Sequence, residues 1–349
     1  MKPFNLNKSI VLPVLLVILF AGCATSISVM VTKPAEVNMA GARKVALFDF
    51  TVPERGRELS LDELWDRALR RSLRRDLRER DRIEEGIAGF ATDSLLDILL
   101  DTEYFEIISP TDVSRAIEYY DINEVDPIML GSLLGAEAII MGDITGMKED
   151  LSNFVRIEKY VDEETETEYE IEVPWVKREV SMLLTYRVIN TSTDKLMATR
   201  TFNESRFHEV KKDNVNNLRD AEDMYRDILK RVLPQIARQI APYKAREYRV
   251  MMNDQSKPKN PRMKDADVYV KGGVYDKALE LYLEIWHGTG NPAAGVNAAI
   301  LYEVTGNVDE AINVIEQVLE VSAEKKVMQE YNRLKQVRED LKRLEEQMQ

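Results

Sequence analysis

The sequence predicts an α+β protein: an α/β sheet domain that extends a β-hairpin, followed by an all-α helical domain. Three observations carry this. Short apolar runs alternate with amphipathic helical stretches over residues 43–144. Beyond Gly146 the hydrophobic period changes to two and stays there to residue 207. In the last third, a six-residue motif returns after 33 residues. A chain of 349 residues has room for two domains.

The elements follow in order. Lys2 and Lys8 precede an apolar run over residues 10–20, interrupted by Pro13. A spanning helix needs about 20 residues, so this run reads as the apolar core of a secretory signal. It ends in Leu19-Phe20-Ala21-Gly22-Cys23, which resembles a bacterial lipobox, with Phe20 where an aliphatic residue is usual. The resemblance implies that residues 1–22 are a lipoprotein signal peptide and that Cys23 is the lipidation site, binding the chain to a membrane. Ala24, rather than Asp, after the cysteine implies the outer membrane, facing the periplasm. Residues 23–42 are rich in Ser, Thr, Ala and Val and read as a tether.

Residues 43–50, RKVALFDF, read as a buried strand. Leu61, Trp65, Leu69, Leu73 and Leu77 form one stripe of an arginine-rich helix over 61–82. Its arginines are matched by acids over 60–85, so it reads as a solvated or protein-facing helix. A second helix over 84–100, a strand over 105–109, and helices over 110–120 and 127–134 follow. The helix at 110 opens with Pro, whose missing N–H costs nothing there. A buried strand over 136–144 completes the alternation. Four β segments are then expected at 153–161, 168–176, 179–189 and 196–207. Val180, Met182, Leu184, Tyr186 and Val188 share one face of the third, and residues 190–195 form a turn. A helix over 218–240, with Pro234 as a kink, closes the domain at 242.

Residues 243–262, with Asn, Asp, Ser, Pro and Lys, read as a linker. Gly273-Val274-Tyr275-Asp276-Lys277-Ala278 recurs as Gly306-Asn307-Val308-Asp309-Glu310-Ala311. The spacing resembles that of tetratricopeptide repeats, which implies two helix pairs over 263–325. Gly295 stands in the second copy where an aromatic is common. Val327, Leu334, Val337, Leu341, Leu344 and Met348 fit an a/d pattern, so 326–349 is a capping or coiled-coil helix. By analogy with tetratricopeptide grooves, Asp267, Lys271, Ile300 and Glu303 are expected to line a partner groove.

Chemistry is sparse. The net charge is −13, from 48 Lys+Arg against 61 Asp+Glu, which argues against binding nucleic acid. One cysteine excludes an internal disulfide, and His208 and His287 have no metal-ligand spacing. Seven acids lie between Asp162 and Glu172, but a strand face diverges and does not gather oxygens around calcium. No nucleophile elbow, phosphate loop or dinucleotide fingerprint occurs. Asp49 and the Gly142-Asp143 pair fall at expected strand ends, without a neighbouring His or Cys. The chain is therefore read as non-enzymatic, without cofactor or metal.

Residues 43–242 resemble the curli-secretion lipoprotein family, the CsgG-like fold. The resemblance rests on KVALFDF, on LGSLLGAEAIIMGDITG over 130–146, on REVSMLLTYRVINTSTDKLMATRTF over 178–202, and on the lipobox. It implies a CsgG-like α/β sandwich with a β-hairpin extension and assembly into a homo-oligomeric ring. Pore-forming members donate two hairpins per subunit to a membrane barrel. The first has a counterpart at 153–176, with Val155, Ile157 and Val161 and then Tyr169, Ile171, Val173 and Trp175 expected on one apolar face. Lys159 and Pro174 interrupt it. The second has none, because 208–217 is short and charged, and a bilayer admits no open sheet edge. The expected function is an outer-membrane lipoprotein that acts as a CsgG-like assembly or transport adaptor and binds protein or peptide partners in the cell envelope. A ring-forming secretion pore and an activator of peptidoglycan synthesis are the alternatives.

Overall fold

A computed structural model describes residues 25–52, 82–119, 127–162 and 166–348. Cys23, the signal segment and nearly all of the arginine-rich helix lie outside them. The chain divides into two compact units. A sheet unit comprises Pro34–Tyr243 with the last four residues, and a helical unit joins residues up to Lys33 with Lys244–Glu345.

The sheet unit holds a five-stranded mixed sheet in the order β3-β2-β4-β5-β6. Its strands are β2 (Lys44–Leu47), β3 (Glu106–Ile108), β4 (Ala138–Val161), β5 (Glu168–Asn190) and β6 (Lys195–Lys211). β2 pairs in parallel with both β3 and β4. A strand flanked on both edges and covered on both faces must be apolar throughout, and Val45, Ala46, Leu47 and Phe48 are fully buried. Helix α1 (Arg82–Asp101) sets Ile87, Ala91, Leu95 and Leu99 on one face, four residues apart and fully buried. Helix α4 (Ala221–Ile240) runs unbroken through Pro234 and adds Ile228, Leu229, Val232, Leu233 and Ile236 to the same core. Helices α2 (Pro110–Tyr119) and α3 (Pro127–Leu134) contact β2 and β4 respectively.

The five β segments expected beyond 136 are three long strands. The break expected at Gly146 is a bulge between Thr145 and Lys148, and Gly146 absorbs the extra residue at φ +63°. β5 runs straight through 177–178, because Lys177 and Arg178 keep partners on both neighbouring strands. Pro174 lies one residue beyond the last rung of β6, where β5 has an open edge and a missing N–H is tolerated. In the turn at 190–194, the Asn190 carboxamide oxygen accepts from the N–H groups of Ser192 and Thr193, both at 3.0 Å.

The register of the arm corrects the expected apolar face. Phe154 lies opposite Trp175, Ile157 opposite Glu172, Tyr160 opposite Tyr169 and Val161 opposite Glu168. Directly opposed residues share a face. Val155, Ile157 and Val161 therefore share theirs with Pro174 and the glutamates, while Ile171, Val173 and Trp175 share the other with Arg156 and Glu158. The two apolar stripes lie on opposite faces, because a one-residue difference in register inverts every side chain.

Two predicted connectors are folded. The tether contains β1 (Ser26–Lys33), whose partner β7 (Tyr243–Val250) lies in the predicted linker. They pair antiparallel: the Met251 N–H donates to the Thr25 carbonyl at 2.8 Å, where β1 begins and β7 has just ended. Beyond β1, Ala35, Met39 and Ala42 are buried in the sheet unit. The Ser, Thr and Val that suggest a tether are also strand formers, and Ile27, Val29 and Val31 alternate inward. In β7 the inward positions are Ala245, Glu247 and Arg249, so charge hides the period.

The helical unit holds α5 (Pro261–Lys271), α6 (Tyr275–Thr289), α7 (Pro292–Val304), α8 (Val308–Val321) and all but the last residues of α9 (Lys325–Met348). The sequence repeat is visible in the backbone. Gly273 and Gly306 both take positive φ, at +73° and +88°, and Ala278 and Ala311 are both fully buried. Val327 and Leu334 of α9 enter the core, so its first half caps the preceding helices. Met251 and Met252 join the same core. Asn297 clamps Met252 by accepting from its N–H at 2.6 Å and donating to its carbonyl at 3.0 Å.

Candidate functional site

The four residues expected to line a partner groove do not converge. Ile300 is 1% exposed inside the helical core. Asp267 accepts a hydrogen bond from the Tyr282 hydroxyl. Lys271 is exposed at the end of α5. Glu303 lines a groove that the other three do not. Ile300 departs from expectation because it falls on the α7 stripe that packs between neighbours, in a helix buried from Ala293 to Leu301.

That groove, of about 360 Å³, runs between β1 and the second half of α9. Val29 through Lys33 line it without a gap. In a strand, successive side chains point to opposite faces. Inward Val29 and Val31 and outward Met30 and Thr32 reach the same space only if β1 meets the groove edge-on. The other edge of β1 is taken by β7, so among the described residues the edge at the groove has no strand partner. Val304, Val308, Val337, Leu341 and Leu344 form the apolar walls. Leu341 is 40% exposed, and with Leu344 it turns the second half of the a/d stripe toward the groove.

The floor is ionic. Seven alternating charges run as a chain through Asp340, Lys33, Glu247, Arg249, Glu303, Arg333 and Glu330. Lys33 lies 3.0 Å from Glu247 and 3.3 Å from Asp340. Arg249 approaches Glu247 and Glu303, both at 2.7 Å, and Arg333 reaches Glu303 at 2.6 Å. The side chains of Arg249 and Glu303 are only 4% and 6% exposed. Burial pushes the Glu303 carboxyl up, but the guanidiniums of Arg333 and Arg249 outweigh it and hold it below the usual carboxylate range. Glu247 is likewise lowered, with Arg249 and Lys33 overcoming burial. Of this chain, the sequence singled out Glu303 alone. The inward alternation of Glu247 and Arg249 in β7 is the signal that was available.

Asp143, a candidate at an expected strand end, lies inside β4, because that strand continues to Val161. It is buried and paired with Arg187 across the sheet. Burial raises its carboxyl above the ordinary value, and Arg187 only partly opposes this. Gly142 beside it is obligatory: a Cβ there would lie 2.1 Å from the Phe50 ring. The pair joins β4 to β5.

No family model matches the chain. No curated protein matches it either. Solved structures similar to it include the lipoprotein GNA1162 from Neisseria meningitidis, at 10% identity, covering 56% of this chain and 98% of that one, with a TM-score of 0.26. The C-terminal domain of LpoB from Salmonella enterica is 12% identical, covering 47% and 82%, with a TM-score of 0.25. The PelC dodecamer from Paraburkholderia phytofirmans is 10% identical, covering 62% and 99%, with a TM-score of 0.24. Among the described residues, no helix is long and apolar enough to cross a membrane.

Proposed function

We propose that this chain is a non-enzymatic lipoprotein of the cell envelope, held to the outer membrane at Cys23 and facing the periplasm. It acts as an adaptor that captures an extended segment of a protein partner. The observation that carries this reading is the unpaired edge of β1 beside the apolar wall of α9. A peptide laid there continues the sheet with main-chain hydrogen bonds, while alternate side chains enter the space between Val304, Val337 and Leu341. The ionic floor holds β1 and α9 in place, so the groove does not have to form on binding.

The finer readings attach to this one. Tetratricopeptide-like packing of the helices and a CsgG-like sheet unit both suit an assembly role. The outer edge of β6 and the arm edge of β4 are where copies would pair into a ring. A barrel pore is disfavoured by the arm register, which puts no continuous apolar face on the β4–β5 ribbon. Activation of peptidoglycan synthesis is the case in which the captured partner is an envelope synthase.

The test is photo-crosslinking in intact cells, with the crosslinker at Leu341 of the full chain and at Ile171 of the arm as comparison. Adducts of an envelope protein from Leu341, mapped to one extended stretch, are expected. Adducts from Ile171 with none from Leu341 would move the binding surface to the arm and end the groove reading.

A further inference from the structure

We infer that the loop joining β7 to α5 is a contact surface for an anionic phospholipid bilayer, and that it holds the helical unit flat against the membrane beside the anchor. The inference rests on the reading that Cys23 is lipidated. It begins from the loss of the tether. Thr25, two residues after Cys23, is buried and its carbonyl is bound to the Met251 N–H. Two residues span at most about 7 Å. The first body reached from the anchor is therefore the helical unit, at the end where Met251 leads into the loop. The sheet unit begins only at Pro34, after the whole of β1.

The loop is basic in an acidic chain. The loop carries Lys257 and Lys259 with Asp254 as its sole acid, and the first turn of α5 adds Arg262 and Lys264, followed by Asp265. All four cations are exposed. Arg262 is paired with Glu284, while Lys257, Lys259 and Lys264 have no ion-pair partner among the described residues. Asp254 is turned inward. It accepts from the N–H groups of Ser256 at 2.8 Å and Asn260 at 2.7 Å, and from the Asn291 side chain at 2.9 Å. Burial would raise its carboxyl, but these donors keep it below the ordinary value and ionised. One acid thus shapes the loop while its two lysines, with Lys264 of α5 beside them, are exposed. Asp265, next in sequence to Lys264, and Glu284, the partner of Arg262, are the exposed acids beside these cations.

A molecule of net charge −13 is repelled by an anionic surface as a whole. With a Debye length near 8 Å at physiological salt, only the charges next to the surface count. Each lysine there is worth about 1 kcal/mol, roughly a fivefold change. Three of them beside a lipid anchor select one orientation of the unit.

The test is amine-labelling footprinting of the acylated full chain. It is carried out in neutral detergent micelles, on phosphatidylcholine vesicles, and on vesicles containing one-quarter phosphatidylglycerol. On the anionic vesicles, labelling of Lys257, Lys259 and Lys264 is expected to fall about fivefold or more, and to recover in 0.5 M salt. Lys195 and Lys212 of the sheet unit serve as internal references. Equal labelling in micelles and on anionic vesicles, with the chain still floating with the vesicles, would overturn the contact and leave the anchor intact. Failure to float would overturn the anchor, and this inference with it.

Discussion

Gly295 shows how a single residue departs from its repeat for a packing reason. A Cβ at this position would lie 2.3 Å from Val318 Cγ2 and 3.1 Å from the Trp286 ring. The aromatic usual at this point is absent because Trp286, from the preceding helix, occupies the space. Neither neighbour can retreat without losing core contacts, and overpacking of this kind costs about 1–3 kcal/mol. Gly295→Ala is therefore expected to lower the urea midpoint of unfolding at an unchanged slope. A variant as stable as the parent would show that α7 and α8 yield at this point. By sequence alone the glycine weakens the repeat; the packing of Val318 and Trp286 makes it a requirement.

Between elements, the alternating charges under the groove tie β1, β7, α7 and α9 into one frame. Buried ion pairs add little net stability, but removing one partner is expensive because a desolvated charge remains. Glu303→Gln deprives Arg249 and Arg333 of their shared partner and is expected to cost about 3 kcal/mol near neutral pH. The pH dependence follows from the lowered carboxyls of Glu303 and Glu247. A carboxyl whose folded pKa lies below its unfolded value binds fewer protons in the folded state. Its contribution is complete above the unfolded value near 4.5 and disappears as pH falls through the lower folded value. The stability gap between parent and Glu303→Gln should thus be constant from pH 7 to about 5 and shrink below 4. Urea titrations at several pH values read this directly, and a gap independent of pH down to 3 would contradict the assignment.

Across the whole chain, the helical unit is built from segments far apart in sequence. Ile27 from the N-terminal strand and Met251 and Met252 from the predicted linker share one core with the helices. A fragment of residues 263–349 keeps all five helices except the start of α5, but loses both strands and the Asn297–Met252 clamp. It is expected to unfold at lower urea than the same unit in the full chain, with faster amide exchange in α7. Exchange rates in α7 equal to those of the full chain would show the strands to be dispensable. The groove disappears in such a fragment because β1 is one of its walls, so partner capture must be tested with the full protein.

The sequence by itself determined the element types and most of their order: the alternating strands and helices, the turn at Asn190, the inward face of Val180 to Val188, and the repeat marked by Gly273 and Gly306. These depend on local periodicity and on backbone preferences that each segment carries with it. Only the tertiary structure decided the fate of the tether and linker, the face of each apolar stripe in the arm, and the groove beside β1. Pairing partner and register depend on what the rest of the chain offers. Ionic residues such as Arg249 and Glu303 become interior only when their counter-charges arrive from distant segments, a coincidence that no local pattern encodes.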